Sequence, residues 1–345
     1  MPDLTCPLPI TDYPNVLLAH GAGGQLMHQL LDTLIVPALG PALAPAGHDA
    51  AVLPTPAGQP ALTTDSYVVR PLFFPGGDIG RLAVFGTVND LAMAGAVPLA
   101  LTLGLIIEEG LPMETLWRVL LSVREAALDA GVRIVTGDTK VVERGHGDGL
   151  YINTGGFGTV PPGAGLHPKR IRAGDAVLVS GDLGRHGIAV LAQREGLAFE
   201  SPVLSDCAPL HRTVAALQEA GVDLHCARDL TRGGLAGAVV ELAAEAGCDI
   251  ELDQAQLPVG KPVTAACELL GLDPLQVACE GRLVAFVPAA QANAALAVLR
   301  AAAGGEQAQC IGSVVPGRGR VILNGLFGVA RPLDLPAGEL LPRIC

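Results

Sequence analysis

The sequence closes on Pro342-Arg343-Ile344-Cys345, placing a thiol on the last residue after the proline- and glycine-punctuated run PLDLPAGELLPRIC. A terminal residue has no downstream chain to pin it, so its side chain is expected to be exposed and mobile, whereas packing cysteines are usually buried. Extended, the 14 residues from Pro332 to Cys345 would span at most about 45 Å. Such an arm can carry a sulfur-bound group between sites; the alternative is a frayed tail. Local charge pulls both ways, since Arg343 favours the thiolate of Cys345 and the terminal carboxylate disfavours it.

Four aspartates stand where strands or apolar helices are expected to end: Asp49 in HDAAVL, Asp65 in LTTDSY, Asp90 in GTVNDLAMAGA and Asp138 in VTGDTK. Carboxylates in apolar surroundings need a partner or ligand. Brought together they suit Mg²⁺, which takes few carboxylates when phosphates and water complete its shell. A helix cap or turn is the competing reading for each, Asp65 and Asp138 above all. The Asn89-Asp90 pair is harder to explain that way, because it interrupts the small, apolar run from Leu82 to Ala96.

Glycine clusters HGAGG (20–24), FFPGGDIG (73–80), VTGDTK (135–140) and RDLTRGGLA (228–236) are each expected to form turns, several of them opening helices whose free N–H groups attract anions. None is a Walker A loop or a dinucleotide fingerprint. Lys140 and Arg232 adjoin two of these turns and can neutralise phosphate charge or simply face water. Glu280, in ACEGRLVAF, directly precedes an expected buried strand; it either faces water at the strand mouth or is held there for proton transfer. The eight histidines show no metal-ligand spacing.

The elements that must position these groups alternate between strand and helix. In the first half we expect helices near 25–36, 78–94 and 113–130, with strands near 61–64, 99–107, 132–136 and 150–160. In the second half we expect strands near 176–181, 282–287, 308–314 and 320–323 among helices near 187–195, 210–220, 233–246, 263–270 and 289–303. Mixed alternation of this kind implies an α/β or α+β protein with helices packed on sheets. Composition shifts in PPGAGLHPKRIRAGD (161–175), which reads as a linker. The expected units are therefore 1–160, 161–331 and a mobile tail at 332–345.

With 345 residues, half of them apolar, the chain can build large cores, and its net charge of −12 argues against nucleic-acid or anionic-membrane partners. Eight cysteines without a close C-x-x-C pair suggest neither a disulfide framework nor a zinc site. Cys267 and Cys279 read as core packing. Met1 leads into DLTCPLPITDYP, which lacks the marks of a signal peptide, and there is no long apolar span, so a cytoplasmic protein is expected.

The segment TTDSYVVRPLFFPGGDIGRLAVFGTVNDLAMAGAVPLALTLGLIIEEGLP (63–112), with VTGDTKVVERG (135–145), RDLTRGGLA (228–236) and the PRIC terminus, closely resembles the HypE family of hydrogenase maturation proteins. The resemblance runs over essentially the whole chain. It implies the two-domain architecture shared with aminoimidazole ribonucleotide synthetase, selenophosphate synthetase and thiamin monophosphate kinase, with an N-terminal ATP-binding domain and a homodimer pairing its N-terminal sheets around the nucleotide sites. It also implies a reaction. A HypF-type carbamoyltransferase loads Cys345, ATP activates the amide oxygen, dehydration gives a thiocyanate, and cyanide passes to iron on a HypC–HypD-type complex. Carried over by residue, Asp49, Asp65, Asp90 and Asp138 hold Mg²⁺, and Asn89, Gly137 and Lys140 join them around ATP. Lys140 also serves in phosphoryl transfer, and Glu280 is the base that takes an N–H proton. His48-Asp49 departs from the family, whose members often carry two acids there.

Two other readings remain. A kinase-like relative acting on a free substrate would need a reactive cysteine or selenocysteine in the N-terminal glycine-rich segment, where this chain has VLLAHGAGGQ with His20. A scaffold with a decayed nucleotide site would bind partners without ATP turnover.

Overall fold

β1 (Gln59–Tyr67) alternates about its own axis, and Ala61, Thr63, Asp65 and Tyr67 fall on its inner face. In the computed structural model, which describes residues 9, 12–44, 50–54, 57–197, 202–326, 328–335 and 343–345, that face meets a buried helix. Before β1 lie α1 (Gln25–Leu30), a π-helical stretch (Leu31–Ile35) and α2 (Val36–Leu39). After it, β2 (Phe73–Phe74) and β3 (Gly77–Asp78) form a tight hairpin leading into α3 (Ile79–Met93). Asp78 caps α3, accepting from the backbone N–H groups of Gly80 at 2.8 Å and Arg81 at 3.1 Å.

α3 is apolar nearly all round, as a helix covered on every side must be. β4 (Val97–Glu108), α4 (Met113–Ala130), β5 (Arg133–Val142) and β6 (Leu150–Val160) complete the first unit. The strand order is β1-β6-β4-β5, with β4 and β5 parallel and the other pairs antiparallel. α3 lies across the inner face, and Gly156 lets it approach: a Cβ there would stand 2.8 Å from Thr87 Cγ2. The outer face has no covering helix among the described residues and exposes Leu62, Val97, Leu99 and Ile106.

The second unit holds β7 (Asp175–Val179), α5 (Arg185–Glu195), α6 (His211–Glu219), β8 (Cys226–Asp229), α7 (Gly234–Ala246) and β9 (Asp249–Asp253). α8 (Lys261–Leu270), β10 (Leu283–Pro288), α9 (Ala292–Ala301), β11 (Gln309–Val315), β12 (Val321–Asn324) and β13 (Ala330–Leu333) follow. They form a seven-stranded sheet ordered β13-β12-β9-β11-β7-β10-β8, with α7 packed on one face and α6 and α9 on the other. Because both faces are covered, every residue of β7 is buried.

Segment 161–174 is tied to both units: Leu166 N–H donates to Ala94 O at 3.3 Å and His167 N–H to His225 O at 3.1 Å. The units also meet through α3, whose Asn89 amide donates to Ala208 O at 3.1 Å and accepts from Leu210 N–H at 2.7 Å. No helix among the described residues is long and apolar enough to cross a membrane.

Two sequence expectations are corrected. VTGDTK is not a turn but the middle of β5, because β4 pairs with it from Ala100 to Glu108 across one register shift after Leu101. Gly137 fits there because a Cβ would strike Leu103 O on the neighbouring strand. The short strands β8 and β9 were not foreseen. Both carry charges, and β8 is held by edge pairing to β10 rather than by an apolar pattern.

Candidate functional site

The end of α3, the inner face of β1, the end of β8 and the loop before β10 converge on a cleft of about 360 Å³ between the two units. Asp65, Tyr67, Asp90, Asp229, Glu280 and Cys345 line it, with Arg228 and Arg232 at exposed positions beside them. Asp65 accepts from Tyr67 Oη at 2.8 Å, and Asp90 accepts from Thr63 Oγ1 at 2.8 Å. Tyr67 is itself fixed by Thr87, 3.3 Å away, so α3 and β1 lock both carboxylates in place.

The electrostatics of the cleft are dominated by acid crowding. Burial, followed by the charge of Asp90, pushes Asp229 up to about 7. Glu280 is 2% exposed. Burial first, then Asp229 and Asp206, hold its carboxyl well above the usual range, which favours the neutral acid. Its Oε1 is buried without a hydrogen-bond partner. Asp90 is also raised, chiefly by burial.

Cys345 does not hang free. Its main-chain oxygen accepts from Val68 N–H at 3.1 Å, the Ile344 carbonyl accepts from His186 Nε2 at 3.0 Å, and the Arg343 carbonyl accepts from Arg70 N–H at 3.3 Å and Arg194 Nη2 at 2.6 Å. Ile344 is buried in the first core, and the Arg343 guanidinium pairs with Asp148. Arg343 therefore does not activate the thiol: burial, then Glu280, pushes Cys345 up to about 12.

The expected residues divide into two groups. Asp65, Asp90, Glu280 and Cys345 share the cleft. Asp138 and Lys140 are exposed on β5, where Lys140 Nζ sits 2.6 Å from both Asp138 oxygens. Their strand is three places from β1, about 14 Å at the usual strand spacing. Accordingly no three His, Cys, Asp or Glu side chains among the described residues gather as a metal site. Gly137 accompanies Asp138 on β5. Asn89 turns away from the cleft, with its amide committed to the joint between the units. Asp49 lies outside the described residues.

Sequence reasoning missed Tyr67, Asp229 and His186. Asp229 had a readable signal only in its place within the glycine cluster RDLTRGGLA. The other two had none, because their roles depend on segments distant in sequence.

Two family matches define the class of protein that this fold and cleft belong to. Residues 47–160 match the AIR synthase related protein N-terminal domain, and residues 172–324 match the AIR synthase related protein C-terminal domain. Among curated proteins, carbamoyl dehydratase HypE of Azotobacter vinelandii is 48% identical over 332 residues, 96% of this chain and 97% of that one. A crystal structure of hydrogenase maturation protein HypE in complex with ATP superposes with a TM-score of 0.91 at 46% identity, covering 95% of this chain and 99% of that one. A crystal structure of a HypE–HypF complex contains a chain that superposes at 0.78 with 43% identity, covering 91% of this chain and 100% of that one. The chain belongs to the carbamoyl dehydratase HypE family.

Proposed function

We infer that this protein is an ATP-dependent carbamoyl dehydratase of [NiFe]-hydrogenase maturation, converting a thiocarboxamide on Cys345 into a thiocyanate. The observation that carries this reading is the placement of the terminal sulfur in one cleft with Asp65, Asp90, Asp229 and Glu280. A thiol raised to about 12 is a poor nucleophile where it sits. The seated tail therefore suits a group already attached to sulfur, loaded while the tail is elsewhere.

The carbamoyl oxygen is a poor leaving group until it carries a phosphoryl group. It attacks the γ-phosphorus of ATP, ADP departs, and one N–H proton passes to solvent as the imidate phosphate forms. Loss of phosphate then breaks the C–O bond while the second N–H proton leaves, giving S–C≡N. We assign Glu280 as acceptor of that second proton. Burial and acidic neighbours favour its protonated form, so Glu280 gives its own proton to the departing phosphate oxygen as the N–H proton arrives, and the carboxyl is regenerated. Asp65, locked by Tyr67, and Asp90, locked by Thr63, present oxygen donors to the cleft.

Mg²⁺ fits this donor chemistry, as hard carboxylate oxygens few in number leave phosphates and water to complete the shell. Asp65 and Asp90 would hold it on this side, and it would neutralise phosphate charge. Asp138, Gly137 and Lys140 join the same nucleotide site if two copies pair their open sheet faces, bringing β5 of one protomer toward the cleft of the other. The exposed Leu62, Val97, Leu99 and Ile106 on that face support the homodimer. A HypF-type carbamoyltransferase supplies the carbamoyl group and a HypC–HypD-type iron complex takes the cyanide.

The test is nucleotide turnover. Phosphate release from Mg·ATP should depend on prior carbamoylation of Cys345 and vanish in Cys345→Ala. Equal turnover by Cys345→Ala would favour a kinase acting on a free substrate.

A further inference from the structure

We propose that His186 is the positioning residue that seats the carrier tail, donating its Nε2–H to the Ile344 carbonyl one residue before the thiol. This rests on reading Cys345 as the carrier.

His186 lies in the first turn of α5 and is fully buried. Its two ring nitrogens have one partner each: Ser205 Oγ at 2.9 Å from Nδ1 and the Ile344 carbonyl at 3.0 Å from Nε2. A carbonyl has no proton to give, so Nε2 carries the hydrogen. Ser205 Oγ already accepts from Cys207 N–H at 3.1 Å, which leaves its hydroxyl proton free to satisfy Nδ1. The serine therefore fixes the tautomer that the tail requires. Burial holds the imidazole neutral, in agreement with one donor and one acceptor. Phe74 packs edge-on against the ring, with centroids 5.3 Å apart.

The serine also links seating to chemistry. Two residues of the same loop hold Glu280: Asp206 Oδ1 accepts from its N–H at 3.0 Å, and Ala208 N–H donates to its carbonyl at 3.3 Å. The segment 205–208 thus holds both the residue that grips the tail and the backbone of Glu280, whose side chain lines the same cleft as the sulfur. When the tail departs, the Nε2–H loses its acceptor inside a buried pocket, which favours the seated state over the empty one. The hydrogen bonds from Val68, Arg70, His186 and Arg194 to residues 343–345 all end on main-chain oxygens, so none of them depends on the group carried by sulfur.

The experiment follows alkylation of Cys345 in the full chain by a neutral maleimide, without nucleotide, read from the mass of the C-terminal peptide. His186→Ala should alkylate about tenfold faster than the parent, the shift expected from loss of one hydrogen bond. His186→Gln, which keeps an N–H donor, should restore most of the protection, and Ser205→Ala should fall between. In dehydration assays His186→Ala should lower kcat while leaving the KM for ATP unchanged. A folded His186→Ala protein alkylating at the parental rate would overturn the proposal, as would a Gln variant as fast as Ala. If His186→Ala does not fold, a parental rate in Ser205→Ala overturns it and an increased rate supports it. Alkylation needs neither ATP nor a carbamoyl group, so failure of the dehydratase reading would leave this outcome readable.

Discussion

The backbone N–H of Glu280 donates to Asp206 Oδ1 at 3.0 Å, yet Glu280 Oε1 and Asp206 Oδ2 are both buried without a hydrogen-bond partner. A buried carboxyl with one oxygen left without a hydrogen bond at a substrate cleft is the condition expected of a group kept for proton transfer. Glu280→Gln preserves shape and removes the acid. Nucleotide binding should persist while thiocyanate yield falls by roughly a hundredfold or more. Normal yield in a single-turnover assay would remove Glu280 from the reaction.

Asp229 makes stability depend on pH. Its folded value, about 7, lies above the 3.8 of an unperturbed aspartate. Its contribution is therefore fully present below about 3.8 and is lost as pH rises through 7. At 1.36 kcal/mol per pH unit the full loss is about 4 kcal/mol. Asp229→Asn should thus gain stability relative to the parent between pH 4 and pH 8, measured as the difference in denaturant midpoints. A difference that does not change with pH would show that Asp229 ionises freely in the fold.

Gly86 allows Tyr67 to reach Asp65. A Cβ at this position would collide with the Tyr67 hydroxyl, which is fully enclosed between α3 and β1. Gly86→Ala should cost about 1–3 kcal/mol by overpacking and should lower dehydration by unseating Asp65. Thermal melting and thiocyanate yield together test this. An alanine variant with parental stability and activity would mean that Tyr67 moves without consequence.

Asn89 serves the joint between units. Removing its amide leaves the part-buried Ala208 O and the buried Leu210 N–H without this partner, a loss of about 1–3 kcal/mol. Asn89→Ala should therefore melt earlier, with the KM for ATP unchanged below the transition. A raised KM with unchanged melting would return Asn89 to the nucleotide site.

Much of this architecture is legible in the sequence because its signals are local. The periodic run 113–130 gives α4 with the bounds found, and the Asn89-Asp90 pair in an apolar helix marks a place where polar groups must have partners. β8 is not legible, since four residues ending in Arg228 and Asp229 have no pattern of their own and are held by β10. VTGDTK misleads for a related reason: a glycine beside an aspartate reads as a turn, whereas Gly137 is there because β4 runs too close for a side chain. The seated tail lies beyond sequence reasoning altogether. Its exposure depends on His186, Val68 and Arg70, which no local pattern connects to residues 343–345, and on a buried environment that reverses the thiol chemistry Arg343 alone would suggest.

The central claim is that Cys345 carries the group that is dehydrated. The most direct measurement is the intact mass of the C-terminal peptide after incubation with an active carbamoyltransferase, before and after Mg·ATP, with Cys345→Ala as control. The account predicts a carbamoyl adduct on Cys345 that loses one water only when ATP is added. An adduct that persists unchanged with ATP, or a Cys345 left unmodified by an active partner, would contradict it.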